Sequence, residues 1–108
     1  MALFKRKHVE LILQGRKTQT RRLHSYEWKL GRVYGVRDKL FGKPVARIMV
    51  IRKFRQRLGD ISLEDVGKEG YSSLEEFCRA WEEVHGPGSW DSNSIVAVYE
   101  FKVVKRLG

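Results

Sequence analysis

Apolar and polar positions alternate along two long segments, residues 45–54 and 95–104, and both are predicted to be β-strands. In the first segment one face is expected to be buried and the other partly basic. The second carries apolar residues on both faces and is expected to be the last strand. A shorter apolar run at residues 33–36, interrupted by Gly35, predicts a third strand with a bulge or a close backbone approach.

Helical spacing of apolar residues predicts three helices. The first covers residues 5–14 and ends at Gly15. Ser62, with an acid at the third helical position, resembles a capping box and begins a short helix. Ser72 with Glu75 begins a longer helix in the same way. Its apolar stripe is expected to face the core and comprises Leu74, Phe77, Cys78, Trp81 and Val84.

The order helix, strands, two helices, strand differs from the regular alternation of a doubly wound fold. With 108 residues, the chain is expected to form one domain, residues 1–108. Three to five strands with little helix indicate the α+β class and a small, partly closed barrel.

Charge is distributed unevenly along the chain, whose formal net charge is +9. Residues 1–57 contain 17 Lys and Arg against 3 acids, a net +14, whereas residues 58–108 contain 5 against 10, a net −5. Such a basic segment would attract a polyanion, for which nucleic acid is the usual candidate. The alternative is a solvated basic surface.

Other compositional features narrow the class of protein. The single cysteine, Cys78, excludes an internal disulfide, and no apolar run is long enough to cross a bilayer, so a cytoplasmic protein without a membrane partner is expected. Asn and Gln together number four beside 35 charged residues, which favours a heat-adapted, thermostable protein. His8, His24 and His85 lack partners at ligand spacing, so no metal site is expected.

The most concentrated candidate chemistry lies directly after the first predicted helix. This segment contains four cations, two hydroxyls and one amide, in the order Gly15, Arg16, Lys17, Thr18, Gln19, Thr20, Arg21 and Arg22. Arginine binds phosphate in a bidentate manner, and lysine and threonine add a charge and hydroxyl donors. The segment is therefore either an anion-binding loop or an exposed basic loop, and its polarity places it at the surface or along a cleft.

This run closely resembles the G-x-K-x-x-x-x-R signature of ASCH domains, which belong to the PUA-like superfamily of small β-barrels. Glu69-Gly70-Tyr71, which enters the long predicted helix, resembles the second motif of that family. Residues 98–101, Val-Tyr-Glu-Phe, resemble its last strand. The resemblance covers nearly the whole chain.

The resemblance implies a PUA-like small β-barrel with flanking helices and a basic cleft between the segment of residues 15–22 and the turn of residues 69–71. It also implies binding of RNA or a small modified nucleoside without a cofactor. The ligand-binding residues by this match are Gly15, Arg16, Lys17, Thr18, Arg21, Arg22 and Tyr71.

One small bacterial branch of the family is a metal-independent amidohydrolase that acts on an acylated nucleoside, acetylcytidine. By match with its motifs, the catalytic residues here would be Lys17, Thr20 and Glu69. A lysine can activate a threonine hydroxyl only when its amine is neutral, which burial and neighbouring cations favour. Positions 17 and 20 of a regular strand would face opposite sides, so the mechanism requires a bend. Arg21 is an additional cation within the run.

Several of these residues have structural alternatives. Glu69 could be a salt-bridge partner near a helix end, and Tyr71 could stack on a base or simply cover the start of the helix. Aromatic residues among cations suit single-stranded nucleic acid or a barrel core, and here they are Trp28, Tyr34 and Phe41. Basic residues at alternate positions of the central strand would share one face, which could contact successive phosphates or simply be solvated. The candidates are Arg47, Arg52, Lys53, Arg55 and Arg57.

Overall fold

The computed structural model describes residues 2–23, 27–39 and 42–107. Its strands are β1 (Ala2–Leu3), β2 (Gln19–Arg22), β3 (Val33–Arg37), β4 (Ala46–Arg57) and β5 (Ile95–Arg106). Its helices are α1 (Arg6–Leu13), α2 (Leu63–Lys68) and α3 (Leu74–His85), with a 3-10 turn at Leu58–Asp60. The α+β class predicted from the sequence is confirmed.

The five strands form one curled sheet, a half-barrel, in the order β1-β3-β4-β5-β2. β1 runs parallel to β3, and the other neighbouring pairs are antiparallel. Central strands β4 and β5 pair along their whole length, with register shifts between Arg47 and Ile48 and between Val50 and Arg52. β2 lies at one edge of the sheet, so its outer side is open to residues from the helices.

Alternation along β5 divides the interior into two cores, because successive side chains of a strand point to opposite faces. Ala97, Tyr99 and Phe101 belong to a first core, which also contains Val9 and Ile12 of α1. On the other face, Val96 and Val98 belong to a second core with residues of α2 and α3, namely Val66, Phe77 and Trp81. The sheet therefore carries α1 on one face and α2 and α3 on the other.

The helix starts follow the predicted capping chemistry, with one shift of position. Ser62 caps α2, and its hydroxyl accepts a hydrogen bond from the Asp65 amide at 3.1 Å. The residue that caps α3 is Ser73, which accepts from the Glu76 amide at 3.1 Å, and not Ser72 as predicted. The Ser72 hydroxyl instead donates to the Glu76 carboxylate at 2.9 Å.

Only part of the predicted apolar stripe of α3 is buried. Phe77 and Trp81 are buried, as predicted, whereas Leu74 and Val84 are exposed and Cys78 is half-buried. Trp28 and Tyr34, for which stacking on nucleic acid was one interpretation, stack on each other with ring centroids 5.4 Å apart beside the first core. Phe41 and His24 lie outside the described residues.

The segment of residues 15–22 differs most from expectation. It was predicted to be a surface or cleft loop, but its second half forms β2, and Lys17, Gln19, Thr20 and Arg21 are buried. Burial of these polar groups requires partners, and the partners come from distant parts of the sequence. None of the helices in the described part of the chain has the length and apolar character needed to cross a membrane.

Candidate nucleoside-binding cavity

The chain turns back sharply after α1 and so brings Lys17 under the helix. Gly15 has φ +74°, a left-handed conformation that glycine adopts without steric cost. The backbone amides of Arg16 and Lys17 both donate to the Leu11 carbonyl, at 2.9 and 3.1 Å. The turn therefore directs Lys17 inward and leaves Arg16 exposed.

A second turn, between α2 and α3, lies directly against the first. Gly70 has φ +102°, a conformation that residues with a side chain rarely adopt, and a Cβ at this position would also come within 2.8 Å of Leu11 Cδ1 and displace that methyl group. The Thr18 amide donates to the Lys68 carbonyl at 2.8 Å, which connects the two turns through the backbone. Glu69 is thereby held beside Lys17.

Lys17 and Glu69 form a buried ion pair across 52 positions of sequence. Lys17 Nζ donates to the Glu69 backbone carbonyl at 2.7 Å and to Glu69 Oε1 at 3.0 Å. The two residues are only 2 % and 3 % exposed. Since a buried charge is tolerated only when it is paired and hydrogen-bonded, each residue depends on the other.

Arg21 binds the second oxygen of the same carboxylate. Its Nη1 lies 3.0 Å from Glu69 Oε2 and 2.7 Å from Gln19 Oε1. Its Nη2 donates to Gln56 Oε1 at 2.9 Å and to Asp65 Oδ2 at 3.4 Å. Arg21, the additional cation of the sequence run, is thus a buried clamp that fixes the orientation of the Glu69 carboxylate.

Burial lowers the pKa of Lys17, because an ammonium group loses solvation in the interior. The negative charge of Glu69 and its hydrogen bond act in the opposite direction, and the positive charges of Arg22 and Arg21 lower the pKa further. The net direction is downward, which makes the neutral amine more accessible than it is for a lysine in water.

On β2, Thr20 and Arg22 share one face because they are two residues apart. Arg22 Nε donates to Thr20 Oγ1 at 3.2 Å, and Arg22 Nη2 donates to the Leu3 carbonyl at 3.1 Å. The guanidinium lies over the rings of Phe4 and Trp28, at 4.9 and 5.2 Å from their centroids. Aromatic faces and hydrogen bonds together hold this cation beside the threonine hydroxyl.

These side chains line a cavity of about 300 Å³ at the β2 edge of the sheet, between α1 and α3. The volume is at the lower end of the range for small-molecule sites, about 300–1,000 Å³. Its polar lining is Lys5, Lys7, His8, Lys17, Thr20, Arg21, Arg22, Glu69, Tyr71, Glu83 and His85. Its apolar lining is Leu3, Phe4, Leu23, Phe77, Ala80, Trp81 and Val84.

Tyr71 joins the α2–α3 turn to α1 through His8. The Tyr71 hydroxyl and His8 Nε2 are 2.8 Å apart, and the rings meet edge to face with centroids 5.5 Å apart. Burial raises the pKa of Tyr71 to about 12, with Glu69 acting in the same direction. Burial also lowers the pKa of His8 to about 4, helped by the positive charge of Lys17. Both rings are therefore neutral near pH 7.

The structure brings together most of the residues singled out in the sequence, but not all of them. Lys17, Thr20 and Glu69 line the cavity, as do Arg21, Arg22 and Tyr71. Lys17 and Thr20 reach the same space because Lys17 precedes β2 and is not part of a regular strand. Predicted ligand-binding residues that do not line it are Gly15, Arg16 and Thr18, whose roles are in the turn and the backbone contacts.

Sequence reasoning missed the contribution of the first helix. His8 was considered only as a metal ligand, and Lys5 and Lys7 were counted only as net charge, yet all three line the cavity. The available signal was the helical spacing, since positions 5 and 8 lie on one side of a helix whose buried residues include Val9 and Ile12. In the described residues, no group of three His, Cys, Asp or Glu side chains is placed to hold a metal ion.

Comparison with solved structures identifies the fold. An ASCH domain from Lactobacillus crispatus JV V101 superposes with a TM-score of 0.76 at 20 % identity, over 90 % of this chain and 70 % of that one. Protein EF3133 from Enterococcus faecalis V583, of the DUF984 family, gives 0.69 at 21 % identity over 91 % and 70 %. Hypothetical protein PH0355 gives 0.68 at 16 % identity over 95 % and 96 %. No protein-family model and no curated protein matches the sequence.

The chain thus has an ASCH-like, PUA-like α+β fold, which confirms the fold inferred from the sequence resemblance. At these levels of identity the likeness establishes the architecture. Function depends on the side chains of the cavity and not on the fold alone.

His8 predicts a pH dependence of stability. Its pKa is about 4 in the folded protein, against an ordinary value of 6.5, so between these pH values the unfolded chain binds the proton and the folded one does not. The contribution of His8 to stability is present above pH 6.5 and is lost as the pH falls towards 4. The decline in Tm over this range should be smaller in His8→Phe than in the wild type. Tyr71→Phe, which keeps the histidine, should retain the decline, and equal declines in the wild type and His8→Phe would refute the assignment.

Proposed function

We propose that the cavity binds a nucleoside, either free or as part of RNA. The observation that carries this proposal is the combination of aromatic and aliphatic lining residues with charged and polar ones in a cavity of nucleoside size. A nucleobase requires such an environment, because it has a flat apolar face and an edge of hydrogen-bond donors and acceptors. The fold supports the same proposal, since the ASCH-like architecture is the one to which the sequence motifs point.

Side chains of both signs are available to a bound base. Lys17 Nζ and the Arg22 guanidinium are donors, and the Glu69 carboxylate is an acceptor. Phe4, Tyr71 and Trp81 contribute aromatic surface to the lining. Lys5 and Lys7 are exposed at the cavity and would attract a phosphate attached to the nucleoside. This arrangement supports the proposal of a basic cleft for RNA or a modified nucleoside.

Calorimetric titration with cytidine, acetylcytidine, uridine and their 5′-monophosphates tests the proposal. Lys17→Met and Arg22→Gln should each weaken binding at least tenfold, since a hydrogen bond to a charged group contributes about 1.5–3 kcal/mol. Arg79→Gln removes an exposed cation of α3 that does not line the cavity, and it should bind like the wild type. Failure of all six compounds to bind, or equal affinities in all variants, would contradict the proposal.

A second candidate function is metal-independent hydrolysis of an acylated nucleoside. The specific observation in its favour is that Lys17 Nζ, with a lowered pKa, lies 3.0 Å from Glu69 Oε1 while Thr20 lines the same cavity. In this mechanism the neutral amine takes the proton of Thr20 Oγ1 as that oxygen attacks the acyl carbon. Glu69 receives that proton from the Lys17 ammonium and passes it to the departing nucleoside amine. Water then hydrolyses the threonine ester, which releases the acid and restores the Thr20 hydroxyl.

Arg22 suits this mechanism because its guanidinium donates to Thr20 Oγ1 and would stabilise negative charge that develops there. In the described part of the chain, the hydrogen bonds of Lys17 Nζ go to Glu69 and none goes to Thr20. The amine must therefore turn towards the hydroxyl when substrate enters.

Chromatographic detection of cytidine formed from acetylcytidine tests this second function. Thr20→Val preserves the shape of the side chain and removes the nucleophile, so turnover should fall below detection, whereas Thr20→Ser keeps a hydroxyl and should retain turnover. Lys17→Met should reduce the rate by about 10²–10⁴, the usual contribution of a general base. Wild-type turnover in Thr20→Val would exclude the mechanism. Binding without any turnover in the wild type would leave only the first function.

A further inference from the structure

A cluster of cations lies on the sheet face that points away from α1, and it takes no part in the cavity. Arg47 stands between the buried residues Ala46 and Ile48, so its side chain points to the opposite face. It pairs with Lys105, and Met49 pairs with Lys102, so both lysines share that face. Neither lysine lines the cavity, and nor does Arg47.

The register shift between Val50 and Arg52 adds a fourth cation to the same face. Arg52 pairs with Glu100, which stands between the buried residues Tyr99 and Phe101 and therefore points outward. The Arg52 side chain is 62 % exposed. We call the cluster of Arg47, Arg52, Lys102 and Lys105 the outer basic face. Of the cations predicted as a ladder, Lys53 pairs with Tyr99 and so belongs to the other side of the sheet.

The charge of this face is not balanced by the acidic residue beside it. Glu100 already accepts a hydrogen bond from Gln19 at 2.7 Å and lies 3.7 Å from Lys68 and 3.8 Å from Arg52. Among residues 2–23, 27–39 and 42–107, no hydrogen bond or ion pair is made by the side chains of Arg47, Lys102 and Lys105. Three positive charges on this face therefore have no partner in the described part of the chain.

The pairing of Arg47 directly opposite Lys105 is unfavourable for the sheet by itself. Like charges at directly opposed positions of an antiparallel pair destabilise it, whereas opposite charges there stabilise it. An anion that bridges the two side chains would remove this repulsion. The fold thus presents a rigid site for negative charge that its own residues do not fill.

We propose that the outer basic face binds the phosphodiester backbone of a single-stranded nucleic acid. The four cations lie on one face of two paired strands and form a contiguous positively charged surface, which suits a chain of regularly spaced negative charges. An aromatic side chain adjoins this face, because the Arg52 guanidinium lies 4.4 Å from the ring centroid of the half-buried Phe54. An aromatic ring beside unpaired cations suits a single strand, whose bases can stack on the ring while its phosphates contact the cations.

The proposal is independent of the cavity. Backbone contacts carry no sequence or sugar information, so oligouridylate and oligothymidylate should bind alike. Fluorescence anisotropy of labelled oligouridylate across a series of salt concentrations measures both the affinity and the number of phosphate contacts.

The test variant is the triple substitution Arg47→Gln, Lys102→Gln and Lys105→Gln. For a single strand each phosphate contact contributes about 0.7 to the slope of log affinity against log salt, so the loss of three should reduce the slope by roughly 2. The affinity at low salt should fall at least tenfold. The matched control, Arg6→Gln, Lys29→Gln and Arg79→Gln, removes the same charge from exposed positions elsewhere and should change the slope by much less.

Three results would overturn the proposal: equal losses in the test and control variants, no binding of either oligonucleotide, or a salt slope that the test substitutions leave unchanged. Tighter binding of polyglutamate than of oligouridylate through the same three residues would assign the face to an acidic protein and would also refute it. Nucleoside binding in the cavity should be unaffected by the test variant, so failure here is distinguishable from failure of the proposed function. Tm measurements on both variants verify folding.

Discussion

The structure around the cavity depends on one buried carboxylate. Glu69 is 3 % exposed and is held between two cations, Lys17 at Oε1 and Arg21 at Oε2, each at 3.0 Å. An unpaired charge at such a site is destabilising by several kcal/mol, because the lost hydration is not replaced. The three side chains must therefore fold together, and this joins the segment after α1 to the turn between α2 and α3.

The same arrangement gives the cavity its chemistry. Arg21 is an additional cation in this sequence run and is not part of the family signature. It binds Glu69 Oε2 and leaves Oε1 to Lys17. Burial of this arrangement lowers the pKa of Lys17, and the positive charges of Arg22 and Arg21 act in the same direction, against the opposing effect of Glu69. Polar groups of fixed geometry among apolar lining residues are what selective binding of a small polar ligand requires.

Local sequence patterns predicted the elements whose partners are near in sequence or whose faces are uniformly apolar. The long central strands, α3 with Phe77 and Trp81, and the cap at Ser62 are of this kind. β2 was missed because its sequence, Gln-Thr-Arg-Arg, has no apolar alternation. It can be buried only because residues far along the chain supply its hydrogen bonds, and no local pattern contains that information.

The site and the outer basic face also depend on contacts between residues that are distant in sequence, which local patterns do not predict. Family motifs identified Lys17, Thr20 and Glu69. The role of His8 depends on the approach of α1 to the α2–α3 turn, and the clamp by Arg21 depends on the approach of β2 to the same turn. Strict alternation would put Arg47 and Arg52 on opposite faces of β4. A register shift puts them on one face, and the sequence does not mark where it occurs.

A double-mutant cycle on the free energy of unfolding, with Lys17→Met, Glu69→Gln and the two together, tests whether the buried ion pair holds the site together. Removing either partner alone should be destabilising by about 3–5 kcal/mol. If the ion pair organises the site, the double variant should be more stable than the sum of the single effects implies, by at least about 2 kcal/mol. Additivity of the two substitutions to within about 0.5 kcal/mol would show that the residues act separately and would contradict the account.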